Sequence, residues 1–381
     1  MIIGIPVEVK EAENRVSLTP AGAEILVMEG HRVLLQSRAG ESSGFSDAMY
    51  STLGVEICNN AESVWEQSEM IVKVKEPIES EWPRMRRGQI LFTYLHLAAS
   101  QKLTNAILDS GIIALAYETV EKSDGQLPLL TPMSEVAGRM SVQAGINYLG
   151  MDRRGSGILV GGVPGVEPGK VVIIGGGVVG MNAGVIASGL GAKVVILDSS
   201  LPRLRHLDRI MPKNVVHLYS TREAIRQEIT DADLIVGAVL LHGSKAPHVI
   251  LKEDLKKMRK GSVLVDVSVD QGGCFQTIRP TTHADPVFLI DGIIHYGVTN
   301  IPGIVPRTST PALTNSTLPY VLAVASKGWE VACRTDSSLM RGLSAVDGNL
   351  TYRAVADTFG MEFANPNVLL GLTGQTEVQD E

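Results

Sequence analysis

A run of glycines constrains this chain more than any other feature, because Gly175-Gly-Gly-Val-Val-Gly180 comes directly after an apolar stretch at residues 171–174. The pattern predicts a strand, a tight turn and a helix over residues 178–190. Gly175 permits the turn, Gly177 lets a ligand approach the backbone, and Gly180 allows the helix to lie close to the strand. The free N–H groups at the start of such a helix favour a bound pyrophosphate.

An acidic residue follows the next predicted strand, at residues 193–197. Asp198 lies 18 residues after Gly180, where a carboxylate accepts hydrogen bonds from the ribose of a bound adenosine. The whole pattern therefore predicts a dinucleotide site, and the charge of Asp198 favours NAD because it repels the extra phosphate of NADP. Two alternatives stay open. In the first, the glycines serve packing only. In the second, Arg203 and Arg205 soften the preference for NAD, unless both are solvated residues at the start of a helix.

Length and composition limit the classes of protein that fit. The 381 residues exceed one ordinary core, which suggests roughly two to three domains, and 44% hydrophobic with 20% charged residues is typical of a globular protein. A net charge of −7 without a basic run interleaved with aromatics argues against a nucleic-acid partner. Cys58, Cys274 and Cys333 are far apart and predict neither a disulfide framework nor a metal site, which favours the reducing cytoplasm.

No membrane association is expected. The N-terminus reads as a first strand and lacks the basic leader and apolar stretch of a signal peptide. Residues 171–192 are uncharged and long enough to cross a bilayer. Seven of them are glycine, so a buried strand–helix–strand unit explains their low charge better.

Short apolar runs alternate with helical patterns, which predicts an α/β fold of two doubly wound, Rossmann-like domains. Residues 1–132 form the first part of a substrate domain, with strands at 2–7, 32–36, 70–74, 90–95 and 112–117 and helices at 21–28 and 100–110. Residues 133–303 form an NAD-binding domain, with strands at 170–174, 193–197, 234–238 and 262–267 and helices at 134–149, 178–190, 221–228 and 252–257.

The remaining residues, 304–381, form a return segment. A helical pattern at 311–333 is too long and too apolar for a mere tail, so it needs a surface to cover. We expect this C-terminal helix to pack on the first domain, which leaves a cleft between the two domains where ligands bind.

Polar residues follow several predicted strands, at the edge where open α/β sheets bind ligands. They are Arg15, Lys75, His96 and Asp270. Strand alternation places Lys73 and Lys75 on one face of their strand, and Tyr94 and His96 on one face of theirs. A dehydrogenase of amino or hydroxy acids needs cations for a carboxylate, a group that exchanges protons near neutral pH and a carboxylate that handles water. Each residue alone also fits a structural role, but their joint placement favours a reacting site.

Longer motifs carry a family resemblance over essentially the whole chain. They are Gly4-Ile-Pro-Val-Glu-Val-Lys-Glu-Ala-Glu-Asn-Arg15-Val, Lys73-Val-Lys75-Glu-Pro77, Thr93-Tyr94-Leu-His96-Leu-Ala98, Pro132-Met133-Ser134-Glu135-Val-Ala-Gly-Arg139 and Pro302-Gly-Ile-Val-Pro306-Arg-Thr-Ser309. The chain resembles the alanine dehydrogenase family, whose cofactor domain is also similar to the NAD-binding subunit of proton-translocating transhydrogenase. The resemblance implies NAD-linked interconversion of L-alanine with pyruvate and ammonia by a homo-hexamer.

The resemblance also implies roles for matching positions. Arg15 and Lys75 would hold the substrate carboxylate and polarise its keto oxygen, His96 would act as acid and base, and Asp270 would activate water. Tyr94 and Met133 complete the candidate substrate site. The candidate cofactor site comprises Ser134, Gly175, Gly177, Val178, Val179, Gly180, Asp198, Arg203, Ser220, Val239, Leu240, Val267, Asp270, Asn300 and Ile301. Ile301 departs from the methionine that is frequent in the family, and we expect it to change pocket shape more than chemistry.

Three other functions are compatible with these motifs. A transhydrogenase subunit would pass hydride between two nucleotides and would normally need a partner or a membrane extension. An opine or saccharopine dehydrogenase would join a keto acid to a larger amine and would need a roomier pocket. An NAD-sensing protein built on a dehydrogenase would bind NAD without turnover.

Overall fold

The computed structural model describes residues 1–239 and 247–372. The chain divides into two compact units, which we call the first and the second unit. The first unit comprises Met1–Pro132 together with the segment from Val305 onward, and the second comprises Met133–Ile304. Of the candidate site residues, Leu240 lies outside the described part of the chain.

The N-terminal part of the first unit alternates short strands with helices. Its strands are β1 (Ile2–Ile5), β2 (Arg32–Gln36), β3 (Glu56–Cys58), β4 (Met70–Val72), β5 (Ile90–Thr93) and β6 (Ile113–Ala116), and its helices are α1 (Pro20–Met28), α2 (Asp47–Ser51), α3 (Ala61–Gln67) and α4 (Gln101–Ser110). Capping residues explain the bounds of α4. The Ser100 side chain accepts a hydrogen bond from the Leu103 N–H, and Gly111 ends the helix with a φ of 65°.

Helix α5 (Thr131–Ile146) begins at the end of the first unit and continues into the second. The strands of the second unit are β7 (Lys170–Ile174), β8 (Lys193–Asp198), β9 (Val215–Tyr219), β10 (Leu234–Gly237), β11 (Val263–Asp266), β12 (Val287–Ile290) and β13 (Ile293–Tyr296), and its further helices are α6 (Val178–Gly189), α7 (Leu201–Ile210) and α8 (Arg222–Ile229). The predicted helix at 252–257 is a 3₁₀ helix.

The C-terminal segment returns to the first unit, as expected from its apolar pattern. Its elements are α9 (Pro306–Lys327), α10 (Trp329–Thr335), α11 (Ser337–Gly342), β14 (Leu343–Val346), β15 (Asn349–Leu350), α12 (Arg353–Phe359) and α13 (Pro366–Leu369). Helix α9 lies against α1. The single helix predicted at 311–333 is wrong in its bounds, because the backbone breaks at Gly328 with a φ of 77° and a second helix follows.

Each unit is built on one sheet. The first sheet has the strand order β15-β14-β6-β5-β4-β1-β2-β3. Strands β1 to β6 are parallel, and β14 and β15 add an antiparallel edge. The parallel part has the 3-2-1-4-5-6 order of a doubly wound sheet, in which the order reverses between β1 and β4.

The second sheet repeats this order. It runs β12-β13-β11-β10-β7-β8-β9, with β12 antiparallel at one edge. Its six parallel strands again follow the order 3-2-1-4-5-6, and the reversal lies between β7 and β10. The predicted pair of Rossmann-like doubly wound units is therefore confirmed, and each has one reversal point at which ligands ordinarily bind.

Parallel strands covered on both faces explain the near-continuous apolar runs. In β7, Val171 and Ile173 pack into one hydrophobic core, whereas Val172 and Ile174 pack into another on the opposite face. All four side chains are at most 1% exposed, and burying each one contributes about 1.5–3 kcal/mol before the entropy cost of folding. Among the helices in the described ranges, none is long and apolar enough to cross a membrane.

Candidate functional site

The glycine turn after β7 has the geometry that its spacing predicts. Gly175 has a φ of 100°, and a Cβ added there would lie 2.4 Å from the Ala238 carbonyl oxygen. A Cβ on Gly180 would lie 1.8 Å from the Gly175 carbonyl oxygen and 3.1 Å from Ile173. Neither position accepts a side chain without displacement of the backbone, so the turn and the close approach of α6 to β7 both require glycine.

The start of α6 is open to a ligand. Gly177 is the N-cap, it provides no side-chain cap, and a Cβ built on it meets no atom within 4 Å among the described residues. Val178 and Val179, which follow in the first turn, are half-buried. The N–H groups of a first helical turn have no acceptor within the helix. This arrangement suits an anionic group that approaches the backbone at Gly177.

Asp198 and Arg203 hold the glycine turn from the side of β8. The Asp198 carboxylate accepts hydrogen bonds from the Gly176 N–H at 2.7 Å and the Ser200 N–H at 2.8 Å. Arg203 donates from Nε to the Gly176 carbonyl at 2.5 Å and from Nη2 to the Gly177 carbonyl at 3.3 Å. Burial lowers the pKa of Arg203, which the charge of Asp198 partly offsets. Arg203 is thus more than a solvated helix residue.

Further candidate cofactor residues follow the carboxyl ends of neighbouring strands. The Ser220 N–H, after β9, donates to the Asp198 carbonyl at 3.0 Å. After β10, the Val239 carbonyl accepts a hydrogen bond from the Ser268 hydroxyl at 2.7 Å. Val267, after β11, donates its N–H to the Gly237 carbonyl at 2.9 Å. The fold therefore gathers these positions along the edge that carries the glycine turn.

The remaining candidates of the second unit lie on α5 and after β13. Met133 is 6% exposed and Ser134, beside it on α5, is half-buried. Asn300 has a φ of 55°, in the left-handed region. Ile301 is 3% exposed and belongs to a hydrophobic core of the second unit. Its apolar character therefore matters for packing as well as for any pocket.

The loop that carries Asp270 depends on an aspartate that the sequence analysis missed. Asp270 is exposed in the 3₁₀ turn Val269–Gln271 after β11. Asp266, the last residue of β11, is fully buried and accepts hydrogen bonds from the N–H groups of Ser268, Cys274 and Phe275 at 2.8–3.1 Å. Burial raises the pKa of Asp266, and these hydrogen bonds oppose the rise. The sequence did carry a signal for Asp266, because it is an acidic residue at the end of an apolar strand.

The polar candidates of the first unit follow the carboxyl ends of β1, β4 and β5. Arg15, in the connection after β1, is 3% exposed and its Nε donates to Glu13 Oε1 at 2.6 Å. Burial alone would raise the pKa of Glu13, but the hydrogen bonds and charge of Arg15 lower it below its ordinary value. The pair keeps a guanidinium fixed in the interior, where its geometry suits a carboxylate ligand.

Lys73 and Lys75 have different surroundings although they were predicted to share a face. Strand β4 ends at Val72, so alternation does not extend to them. Lys73 is fully buried, with its ammonium 3.2 Å from Glu8 and 2.9 Å from Glu81. Lys75 is half-buried and makes no ion pair within the described residues. Burial and the nearby charge of Arg15 lower the pKa of Lys75.

Tyr94 and His96 lie together after β5. Their rings are parallel with centroids 5.8 Å apart, and the Tyr94 hydroxyl donates to the Leu129 carbonyl at 2.6 Å. His96 has a left-handed backbone with a φ of 48°, and its N–H donates to Glu118 Oε1 at 2.6 Å. The same oxygen lies 3.8 Å from His96 Nδ1. Glu118, which the sequence analysis missed, therefore fixes the conformation of His96.

Electrostatics link these groups into one cluster of the first unit. Burial raises the pKa of the Tyr94 hydroxyl, whereas the positive charge of Arg15 opposes that rise, and Arg15 also acts on Lys75. The structure thus brings together Arg15, Lys75, Tyr94 and His96, with Glu8, Glu13 and Glu118 as buried or half-buried carboxylates around them. Two cations, a phenol and an imidazole can bind a small carboxylic acid and exchange protons with it.

Comparison with known proteins gives a consistent result. The model for the alanine dehydrogenase/PNT N-terminal domain matches residues 4–137, and the model for the C-terminal domain matches residues 141–353. A protein of Halomonas elongata named alanine dehydrogenase is 52% identical over 97% of this chain and 100% of its own length.

Solved structures extend the comparison to the fold. A structure named L-alanine dehydrogenase has a TM-score of 0.92 and 48% identity, covering 94% of this chain and 99% of its own. A transhydrogenase from Sinorhizobium meliloti shares the fold, with a TM-score of 0.78 at 20% identity over 93% of this chain and 100% of its own. The two family models and the near-full-length identity lead to one conclusion: this chain belongs to the alanine dehydrogenase/PNT family.

Proposed function

We propose that the protein catalyses the reversible oxidative deamination of L-alanine: L-alanine, NAD⁺ and water give pyruvate, ammonium, NADH and a proton. The observation that carries the proposal is the cluster of Arg15, Lys75, Tyr94 and His96 at one sheet edge of the first unit. It occurs in a chain that is 52% identical over nearly its full length to a protein named alanine dehydrogenase. We also propose that the first unit binds substrate and the second binds NAD.

The second unit fits the proposed cofactor. Open space beside Gly177 and the uncapped start of α6 suit a pyrophosphate, and Asp198 retains lone pairs for ribose hydroxyls beyond its two backbone hydrogen bonds. The chemistry that NAD⁺ would supply when bound there is a nicotinamide acceptor for the hydride from the substrate Cα. The proposed contacts are Ser134, Gly175, Gly177, Val178, Val179, Gly180, Asp198, Arg203, Ser220, Val239, Leu240, Val267, Asp270, Asn300 and Ile301.

The first unit supplies charge and orientation. Arg15, held by Glu13, binds the substrate carboxylate, and Lys75 donates to the oxygen that water brings to Cα and that becomes the keto oxygen of pyruvate. Burial lowers the pKa of this half-buried ammonium, and an ammonium in such surroundings is a strong hydrogen-bond donor. Tyr94, and Met133 at the start of the second unit, are the further proposed substrate-binding residues. If Arg15 and Lys75 bind the groups that all amino acids share, the size of the side chain decides which amino acid fits, and alanine has only a methyl group there.

His96 and Asp270 are the proposed proton-handling groups. The His96 side chain is 44% exposed and lies beside the Glu118 carboxylate, so its imidazole has access to both substrate and water. It accepts a proton during deamination and returns it in the reverse direction. Asp270, exposed on its turn, activates the water that converts the imine to pyruvate and ammonia.

We further propose a cytoplasmic homo-hexamer. Exposed apolar side chains such as Met151, at 80%, and Leu159, at 66%, belong to the kind of surface that subunit contacts cover. Light scattering of the purified protein tests the assembly, because a hexamer has six times the chain mass of 40.8 kDa. A monomeric mass would contradict it.

One assay separates the proposed reaction from its alternatives. Purified protein is mixed with NAD⁺ and a panel of amino acids, and NADH absorbance is followed. We expect L-alanine to be the best substrate by a wide margin. Hydride exchange between two nucleotides without an amino acid would instead indicate a transhydrogenase, a requirement for a keto acid with a larger amine would indicate an opine or saccharopine dehydrogenase, and NADH binding without turnover would indicate a sensor.

A further inference from the structure

Glu8 contacts Lys75 and the two residues before it, although Glu8 lies on a different strand connection. It follows β1, and its carboxylate accepts hydrogen bonds from the Val74 N–H at 2.6 Å and the Lys75 N–H at 3.2 Å. The same carboxylate lies 3.2 Å from the ammonium of Lys73. Three consecutive residues after β4 are therefore attached to one side chain.

This attachment spans the reversal point of the first sheet. Strands β1 and β4 are neighbours in the sheet, with Ile3 opposite Met70, and their chains continue in different directions beyond their carboxyl ends. Backbone N–H groups that leave a sheet edge lose their ladder partners and need others when they are buried. Glu8 supplies an acceptor for two of them, so it determines where the backbone of Lys75 lies.

The Lys73 ammonium adds stability to this attachment. The Glu8 and Lys73 side chains are 3% and 0% exposed. Burial raises the pKa of Glu8, and the charge of Lys73 with the Val74 hydrogen bond opposes that rise. A buried carboxylate that accepts two N–H hydrogen bonds and lies beside a buried cation is held in one direction, which makes it a rigid support.

We propose that Glu8 is a positioning residue for Lys75: it holds the Val74–Lys75 backbone so that the Lys75 ammonium reaches the substrate oxygen. This inference rests on the proposed function. It predicts that a loss of the Glu8 carboxylate displaces the ammonium and weakens its interaction with a keto acid, whereas binding of NADH by the second unit stays unchanged.

The chain offers a matched control in Glu81. Its side chain is also 3% exposed and pairs with Lys73, at 2.9 Å. Its other oxygen accepts from the Ile78 N–H at 3.1 Å, and within the described residues Glu81 makes no hydrogen bond to the Lys75 backbone. Glu8→Gln and Glu81→Gln therefore remove the same charge from the same lysine. Only Glu8→Gln replaces, with an amide NH₂ donor, one of the two oxygens that accept from the N–H groups of Val74 and Lys75.

Two measurements test the proposal on the full-length protein. Hydrogen-exchange mass spectrometry of the peptide that contains Val74 and Lys75 reports on the backbone without any turnover. Steady-state reduction of pyruvate by NADH and ammonia reports on the chemistry, with NADH affinity and a thermal melt for each variant. We expect Glu8→Gln to speed exchange in this peptide and to lower kcat/KM for pyruvate at least tenfold, with Glu81→Gln near wild type in both.

Other results would overturn the proposal. Equal losses of activity and thermal stability in the two variants would mean that the buried ion pairs only support the fold. Unchanged exchange in Glu8→Gln, or faster exchange with wild-type turnover, would mean that Glu8 does not position Lys75. If the wild-type protein did not reduce pyruvate at all, the proposed function would fail separately, and hydrogen exchange would still decide whether Glu8 holds the Lys75 backbone.

Discussion

The two units have the same order of six parallel strands but opposite chemistry at the reversal point. In the second unit, β7 ends at Ile174 and α6 begins at Val178, so a short glycine turn brings backbone N–H groups to the sheet edge. In the first unit, β1 ends at Ile5 and α1 begins only at Pro20. The long connection between them carries charged side chains in place of a glycine turn.

The starts of the two helices show the same contrast. Helix α6 begins after Gly177, which has no side chain to cap the first N–H groups of the helix. Helix α1 begins after Thr19, whose side chain accepts from the Gly22 N–H, and its first residue is Pro20, which has no N–H. One helix start is open to a phosphate and the other is closed. The same fold thus binds anions through backbone dipoles in one unit and through Arg15 and Lys75 in the other, as we propose.

The largest effect that this comparison predicts is at Lys75. Lys75→Ala should lower the rate of pyruvate reduction by about 10²–10⁴-fold. The start of α1 is capped, so its backbone N–H groups cannot take over the role of the lost cation. Lys75→Arg should also stay poor, since a planar guanidinium does not occupy the space of a compact ammonium. Steady-state kinetics and a thermal melt provide the test. If Lys75→Ala kept the wild-type rate and changed the free energy of unfolding by no more than about 0.5 kcal/mol, Lys75 would be a solvated residue at a strand end. That result would remove Lys75 from the mechanism.

His96→Ala should separate the chemistry of the first unit from the nucleotide binding of the second. We expect turnover to fall by about 10²–10⁴-fold through loss of the acid–base group, while NADH affinity remains nearly intact. Fluorescence titration with NADH and steady-state kinetics measure the two effects. A collapse of NADH affinity in this variant would instead place His96 in the cofactor site or in the fold.

A smaller but sharper effect concerns the backbone turn of the second unit. Gly180→Ala places a Cβ 1.8 Å from the Gly175 carbonyl oxygen, which should cost about 1–3 kcal/mol of stability and weaken NADH binding at least about tenfold. Gly189→Ala on the same helix is the control, because a Cβ there meets no described atom within 4 Å and should stabilise by about 0.5–1 kcal/mol. Thermal melts and NADH titrations distinguish the two. If the two variants had the same stability and the same NADH affinity, close packing of α6 on β7 would not be needed for either property.

The smallest expected effect is on cofactor choice. With Asp198 in place, kcat/KM with NAD should exceed that with NADP at least about tenfold, or roughly 1.4 kcal/mol. Asp198→Gly should narrow this gap, although it also removes the acceptor of the Gly176 N–H. Parallel assays with both nucleotides measure the ratio. Equal or better turnover of the wild type with NADP would refute the role of Asp198.

Local patterns predicted some elements closely and others not at all. Strand β2 and helix α4 were predictable because apolar spacing and caps such as Ser100 and Gly111 act within a few residues. The edge strands β3 and β9 were missed, since they are short and partly polar and owe their conformation to a neighbouring strand. The break at Gly328 was also missed, because apolar spacing continues across it.

The sequence by itself determined the glycine turn, the acid at the end of β8 and the cations after β1 and β4, because each depends on residue type and short-range order. Only the tertiary structure decided which carboxylates support them. Glu8 reaches Val74 and Lys75, and Glu118 reaches His96, across sequence separations that no local pattern records. The strand order, which is identical in the two units, could not be read from the residues either. Backbone hydrogen bonds between parallel strands set this order, and many different apolar sequences can form those hydrogen bonds.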